Sequence, residues 1–332
     1  MPESRQYRVS LESIISFICL NISNFKCVTV TGSHVLVSSA GPLTVEDVDL
    51  LKNENAAAHK TSMYRMKELV IRRGAPFQMK ITFNRPVTPQ DMFQVQFRIG
   101  ESFTLQQGAT LLLRVTPAPD AVVGKYLVVV GVALANGLQY TPDSLRLPLY
   151  VLFNAFHPDD VVYLQNQSDA HMYVMKDNGV IYVGDYPQYS SKPWNYGQFE
   201  AGVLDACIYI MDKSELPIAD RGDVVKVCRM ASAMINSHDD QGVLVGNWSD
   251  DFSLGSPPTL APVSFAQCWV YAGVLNTFLR CLGLASRVIT NFFSAHDNNG
   301  NLRTDLVFTA DMQPDSRNTR DSIWYQTRHN TR

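Results

Sequence analysis

The stretch "SFAQCWVYAGVLNTFLRCLG" (264–283) sets Cys268 between a glutamine and a tryptophan, at the head of a run that is apolar on almost every side. A helix that is hydrophobic all round belongs in a core, so the spacing predicts a buried helix opening at or just after residue 268. Gly283 is placed to close it. Cys268 is open to two readings. It packs as a small hydrophobe, or it is a nucleophile, because the unpaired N–H groups and dipole of a helix N-terminus favour negative charge. Cys281, thirteen residues on, falls about 220° around the same helix and cannot share that face. Cys207, among apolar neighbours, reads as core packing.

Upstream the pattern changes. "KELVIRRG", "FQMKITFNRP", "MFQVQFRIG", "ATLLLRVTP" and "GKYLVVVGVALANG" (within 66–137) are short β-branched and aromatic runs punctuated by Gly, Pro and Asn. "QMKITF" and "FQVQFRI" alternate as half-buried strands do, and the turn spacing is that of an antiparallel sandwich. Residues 1–50 read as an N-terminal extension with one or two edge strands, 51–155 as the β-sandwich, and 156–332 as a second region in which helices alternate with loops. "YGQFEAGVLDACIYIMDKSEL" (196–216) carries Phe199, Val203, Cys207 and Ile210 at helical spacing, and "DVVKVCRMASAMINS" (223–237) repeats the logic. "SRVITNFF" and "NLRTDLVF" read as two strands flanking the polar turn "SAHDNNG".

A thiolate enzyme also needs a histidine to move protons, oriented by an Asp or Asn. Downstream of Cys268 only His296 and His329 remain. His296 falls in a turn, and His329 in a basic tail without an apolar anchor that reads as frayed. Two turns invite a metal test. "SAHDNNGNLRTD" (294–305) sets Asp297, Asn299 and Asn301 at alternate positions, as oxygen ligands sit in calcium loops. "AMINSHDDQG" (233–242) is a second Asn/Asp-rich turn. Neither meets the EF-hand pattern, and each also reads as a hydrogen-bonding loop.

The blocks "YGQFEAGVLDACIYIMD", "SAMINSHDDQGVLVGNW", "QCWVYAGVLNTFLRCLGLASRVITNFFSAHDNNGNL" and "DSIW" together resemble the animal transglutaminases, and "LVIRRGAPF" and "VGKY" resemble that family's N-terminal sandwich. The resemblance runs from about residue 50 to Trp324. It implies an α+β chain: an N-terminal immunoglobulin-like β-sandwich followed by a partial papain-like catalytic core. The implied activity is calcium-dependent formation of isopeptide bonds between protein Gln and Lys side chains. It implies Cys268 as nucleophile and Trp248 as the indole donor that stabilises the oxyanion beside the backbone N–H of the cysteine. It implies Ca2+ at two loops. The first uses Asn236 and Asp240 with the carbonyls of Ala233 and His238, Gln241 standing where an Asn can be found. The second uses Asp297, Asn299 and Asn301, closed by Asp321, with Arg303 in a ligand position.

Departures from the family's pattern shape the expectation for activity. The family's catalytic His lies three residues past the Trp of "DS-[IV]-W"; that position is Thr327 here, and His329 comes two positions late. The sequence stops before the family's catalytic Asp, remaining calcium ligands and two C-terminal barrels. The linker from Trp248 to Cys268 is short, Ala266 replaces a usual Gly, and "LFNAF" stands for an "LFNPW"-like junction. A truncated core of this kind is expected to have little activity and to leave Val270, Leu275 and Phe278 partly exposed. The alternatives are a non-catalytic interaction protein binding protein partners, and, disfavoured by Trp248 and the calcium loops, a cysteine protease.

Composition bounds the rest. Over 332 residues the formal net charge is −3, which gives no electrostatic reason to expect nucleic acid. No stretch reaches the roughly 20 apolar residues of a membrane span, and "SIISFICLNIS" (13–23) lacks a signal peptide's flanks. Six cysteines without CxxC pairs favour free thiols in a reducing compartment. The expected location is cytoplasmic, or extracellular by a route without a signal peptide. Expected partners are protein substrates with accessible Gln and Lys; a homo-oligomer is allowed.

Overall fold

The computed structural model describes residues 25–31, 41–88, 91–99, 110–134, 137–237, 242–246 and 264–331. Strands β1 (Phe25–Thr31) and β2 (Val45–Asp49) precede the short helix α1 (Lys52–Ala58). Seven strands follow: β3 (Leu69–Arg72), β4 (Phe77–Phe83), β5 (Met92–Ile99), β6 (Thr110–Pro117), β7 (Gly124–Leu134), β8 (Gly137–Tyr140) and β9 (Leu147–Leu152). The rest alternates: α2 (Gln167–Ala170), β10 (Asn178–Gly184), β11 (Tyr189–Asn195), α3 (Val203–Lys213), α4 (Val224–Ile235) and β12 (Leu244–Gly246). It closes with β13 (Ser264–Ala266), α5 (Cys268–Cys281), β14 (Ser286–His296) and β15 (Ser322–Thr331). The chain forms two compact units, residues up to 167 with 199–227, and 168–198 with 228 onward.

The first unit is the sandwich. One sheet has the order β1-β6-β4-β2, so both strands drawn from the first 50 residues lie at its edges. The other runs β3-β9-β7-β5, with β8 on β7 and β3 parallel to β9. Alternation sets the core. Phe77, Met79, Ile81 and Phe83 of β4 meet Leu111, Leu113 and Val115 of β6 and the Val128, Val130 and Val132 row of β7 in one buried cluster. Those strands lie where the apolar alternation predicts them.

Below the sandwich a wholly buried ion pair ties distant segments. Arg73 grips Asp160 with Nε and Nη2 at 2.7 and 2.8 Å, while its Nη1 donates to the carbonyls of Ala121 and Gly222. Asp160 also accepts the N–H groups of Asn154 and Val162. A buried pair is tolerable only when its remaining donors and acceptors are satisfied in this way. Next to it, α3 buries Leu204, Cys207, Ile208 and Met211. The stripe is rotated from the expected one: the helix starts at Val203, after Gly202 at φ 81, so Phe199 lies ahead of it and Ile210 turns partly outward.

In the second unit, α5 is the central helix. Val270, Leu275 and Phe278 are buried, which corrects the expectation that they are left uncovered. The cover is the long antiparallel ladder of β14 and β15, which packs on α5. This ladder corrects two further expectations. The partner of "SRVITNFF" is 322–331 rather than "NLRTDLVF", which forms turns and one isolated bridge, Phe308 to Pro314. The basic tail holding His329 is a paired strand. His296 likewise ends β14, opposite Ser322, rather than lying in the turn.

His59 supplies a pH test of the sandwich. It is buried; its Nδ1 accepts the Arg72 N–H at 3.0 Å and its Nε2 lies 3.1 Å from the Pro76 carbonyl. Burial, helped by the Arg72 charge, pulls its pKa down from 6.5 to about 4. Between these values the unfolded chain binds the extra proton, so stability is full above pH 6.5 and falls as the pH drops toward 4. The loss is about 3 kcal/mol by linkage. Urea melts from pH 7.5 to 4.5 are expected to show it, and His59→Gln is expected to flatten that dependence by about one proton.

Candidate active site

The site is built at the first turn of α5. Gln267 is extended (φ −109, ψ 172), its own side chain does not cap the helix, and the Gln267 carbonyl accepts the N–H groups of Val270 and Tyr271 at 2.9 and 3.1 Å. Cys268 is therefore the first helical residue, and its thiol is free and half-buried. β12 and β13 run parallel with Gly246 opposite Ala266. Trp248 lies outside the described residues; along the chain it comes two residues after Gly246, as Cys268 comes two after Ala266. Tyr271 locks the helix to this ladder by donating its hydroxyl to the Leu244 carbonyl at 3.0 Å.

Aromatic groups fix the turn laterally. The Trp269 indole donates to the Gln267 side-chain oxygen at 3.2 Å and meets Trp194 edge-on, with centroids 5.7 Å apart. Lys192, two residues before Trp194 on β11, holds its ammonium 4.4 Å from the Trp269 ring centre. Trp194 can lie this close because residue 273 is glycine. A Cβ there would stand 2.7 Å from the Trp194 ring. Neither Lys192 nor Trp194 stands out in the sequence, since a cation–π contact between separate elements leaves no local pattern.

Thr327 of β15 pairs with Thr290, and His329, two residues further along, pairs with Val288.

The two oxygen-rich loops differ in what is described. In the first, the Ala233 carbonyl accepts the Asn236 N–H, and Asn236 bridges to Leu244; His238, Asp240 and Gln241 lie outside the described residues. Gly242 is required here, because a Cβ would fall 2.4 Å from the Met234 carbonyl. In the second, Asp297 accepts the N–H groups of Asn299, Gly300 and Leu302, and Asn299 and Asn301 accept those two residues on. These backbone bonds lower the Asp297 pKa against its desolvation. Asp321 is buried and anchors the turn, its two oxygens accepting the N–H groups of Asn298 and Asp305, each at 2.8 Å. Every donor in this second set is an oxygen, the type a hard cation takes. The charge is thin: no group of three or more His, Cys, Asp or Glu side chains gathers among the described residues.

Residues 46–110 match the Transglutaminase family. The human coagulation factor XIII A chain is 36% identical over 326 residues, covering 85% of this chain and 44% of that protein. The rabbit (Oryctolagus cuniculus) protein-glutamine gamma-glutamyltransferase K is 38% identical over 326 residues, covering 86% and 39%. The crystal structure of red sea bream transglutaminase superposes with a TM-score of 0.75 at 33% identity, over 86% of this chain and 50% of that one.

The chain belongs to the transglutaminase family. It spans half or less of the length of these relatives. Membership is consistent with the α+β mixture of helices and several sheets described above. No helix among the described residues is long and apolar enough to cross a membrane.

Gly273 gives a direct test of the aromatic brace. Alanine normally stabilises a helix interior by about 1 kcal/mol over glycine. Against the Trp194 ring the added methyl overpacks at a cost of about 1–3 kcal/mol. Gly273→Ala is therefore expected to lower stability in chemical denaturation and to red-shift tryptophan emission as Trp194 is displaced.

Proposed function

We propose that this chain carries the acyl-transfer site of a protein-glutamine gamma-glutamyltransferase, with Cys268 as nucleophile. The observation that carries it is the seat of Cys268: first residue of α5, two residues after β13, the strand paired in register with β12, which leads along the chain to Trp248. In the reaction, the Cys268 sulfur attacks the side-chain carboxamide carbon of a protein Gln. The C–N bond breaks, ammonia leaves with the proton, and a thioester remains. A Lys amine then attacks the thioester carbon, the C–S bond breaks, and the isopeptide forms as the thiol regains a proton. Trp248 and the Cys268 N–H are the proposed oxyanion donors, a type of contribution worth several kcal/mol.

Thr327 stands at the position the resemblance gives to the histidine base. A threonine cannot take and return a proton at neutral pH, so turnover is expected to be low. Removing one member of a nucleophile–base unit typically costs several orders of magnitude in rate. The reading is tested by calcium-dependent incorporation of a dansylated amine into a Gln-bearing protein. Slow incorporation that Cys268→Ala abolishes supports it. Incorporation that survives Cys268→Ala, or none at all in the parent chain, favours the alternative of a non-catalytic interaction protein.

Calcium is the proposed cofactor, supplying a cation that would order the loops flanking the core. The described donors are Asp297, Asn299, Asn301 and Asp321, with Ala233 and Asn236 from the other loop and His238 and Asp240 completing it. Binding to the folded state alone raises stability by mass action, by about 2.7 kcal/mol at a hundredfold excess over the dissociation constant. Millimolar Ca2+ is expected to raise the melting temperature of the chain, and Asp297→Ala to shrink that rise. An unchanged melt with Ca2+ would refute the assignment of this loop.

A further inference from the structure

We propose that Lys192 gives the Cys268 site a preference for anionic partners, favouring Gln-bearing segments flanked by acidic residues. The inference rests on Cys268 being the nucleophile, as proposed above.

Three observations carry it. The Lys192 ammonium lies 4.4 Å from the ring centre of Trp269, the residue next to Cys268 on the first turn of α5. Lys192 is exposed, so its charge faces an arriving partner. The elements that meet here are poor in other charge. Among β11, β12, β13 and α5 the one further ionisable side chain of fixed charge is Arg280. Arg280 is twelve residues along the helix from Cys268, about 18 Å away, and is buried against the carbonyls of Ser286 and Lys176.

Among the described residues of these elements no acidic side chain offsets Lys192, and the positive end of the α5 dipole adds to it; Asp250 and Asp251, which follow Trp248 in sequence, lie outside the described residues. Trp194 completes the device. Alternate residues of a strand share a side, and Lys192 and Trp194 both meet the Trp269 ring, the ammonium over its face and the second indole at right angles to it, which places the ammonium beside the first turn. A fixed positive potential at the mouth of a site raises the local concentration of anionic segments and lowers that of cationic ones.

The test uses two alkylating reagents of similar size on the whole chain, neutral iodoacetamide and anionic iodoacetate. Rates are read at the peptide carrying Cys268 by mass spectrometry, with Cys228 as internal reference. Both reagents need the same thiolate, so the ratio of their rates cancels thiol ionisation and reports the local potential. At low salt, Lys192→Met is expected to lower the iodoacetate-to-iodoacetamide ratio about threefold, the effect of one nearby unit charge at a solvated surface. Lys192→Arg is expected to keep the parent ratio, and 0.5 M NaCl to lower the ratio of the parent chain. A ratio unchanged by Lys192→Met, or not retained by Lys192→Arg, overturns the proposal while leaving Cys268 as nucleophile. A Cys268 inert to both reagents overturns the nucleophile reading and this inference with it.

Discussion

A buried guanidinium held by carbonyls fixes the unit that carries the site. Arg280 is 4% exposed, and its Nε and Nη2 both donate to the Ser286 carbonyl, at 3.0 and 2.7 Å. Its Nη1 donates to the Lys176 carbonyl at 2.6 Å, and its plane lies over Tyr196. Burial pulls its pKa down, opposed by the phenols of Tyr196 and Tyr173. Such a charge is stable only where every geometric detail is kept, because losing one acceptor leaves a buried donor unsatisfied at about 1–3 kcal/mol. Arg280 thus pins the C-terminal end of α5 to the start of β14 and to the segment entering β10. The first turn of the helix is set separately, by Trp269 between Lys192 and Trp194 and by Tyr271 on Leu244. A helix clamped at both ends delivers its first residue to a fixed place.

What the sequence reveals and conceals follows from the range of each interaction. Period-two alternation in "FQMKITF" and near-continuous apolarity in "GKYLVVVGVAL" are local, and β4 and β7 are where they predict. The helix after Cys268 was legible for the same reason, and Gly283 closes it at φ 91. Strand pairing is not local. The partner of β14 lies beyond a 25-residue excursion (297–321), and the nearer apolar segment 306–308 competes for it on sequence alone. The choice goes to 322–331, which pairs along nearly the whole of β14, with one register shift between Asn291 and Ser294; a Pro at 314 and the Asp315 turn limit the nearer segment. The core that covers Val270, Leu275 and Phe278 was hidden with it.

The site divides along the same line. Cys268 could be singled out because a helix start is written in adjacent residues. The Asp297–Asn301 loop could be singled out because Asx turns bind their own backbone two residues on. Lys192 and Trp194 could not, since what matters is which ring they meet across separate elements. Asp321 lies between these cases. Only the resemblance joined it to the loop, and the fold supplies a physical reason: its carboxylate holds the N–H groups of Asn298 and Asp305, so it shapes the turn whether or not a cation is bound.

The strand register limits what the histidine in the tail can do. If Thr327 occupies the position of the base, His329 is two residues, about 7 Å, further along β15. A proton carrier must come within about 3 Å of the group it serves, less than half the backbone distance between the two positions. Sliding β15 by two residues would keep its alternation. It would also dismantle the pairs from Ser286–Thr331 to His296–Ser322, and with them the sheet that buries α5. The ladder that covers α5 is thus the same constraint that holds His329 two residues along the strand from Thr327.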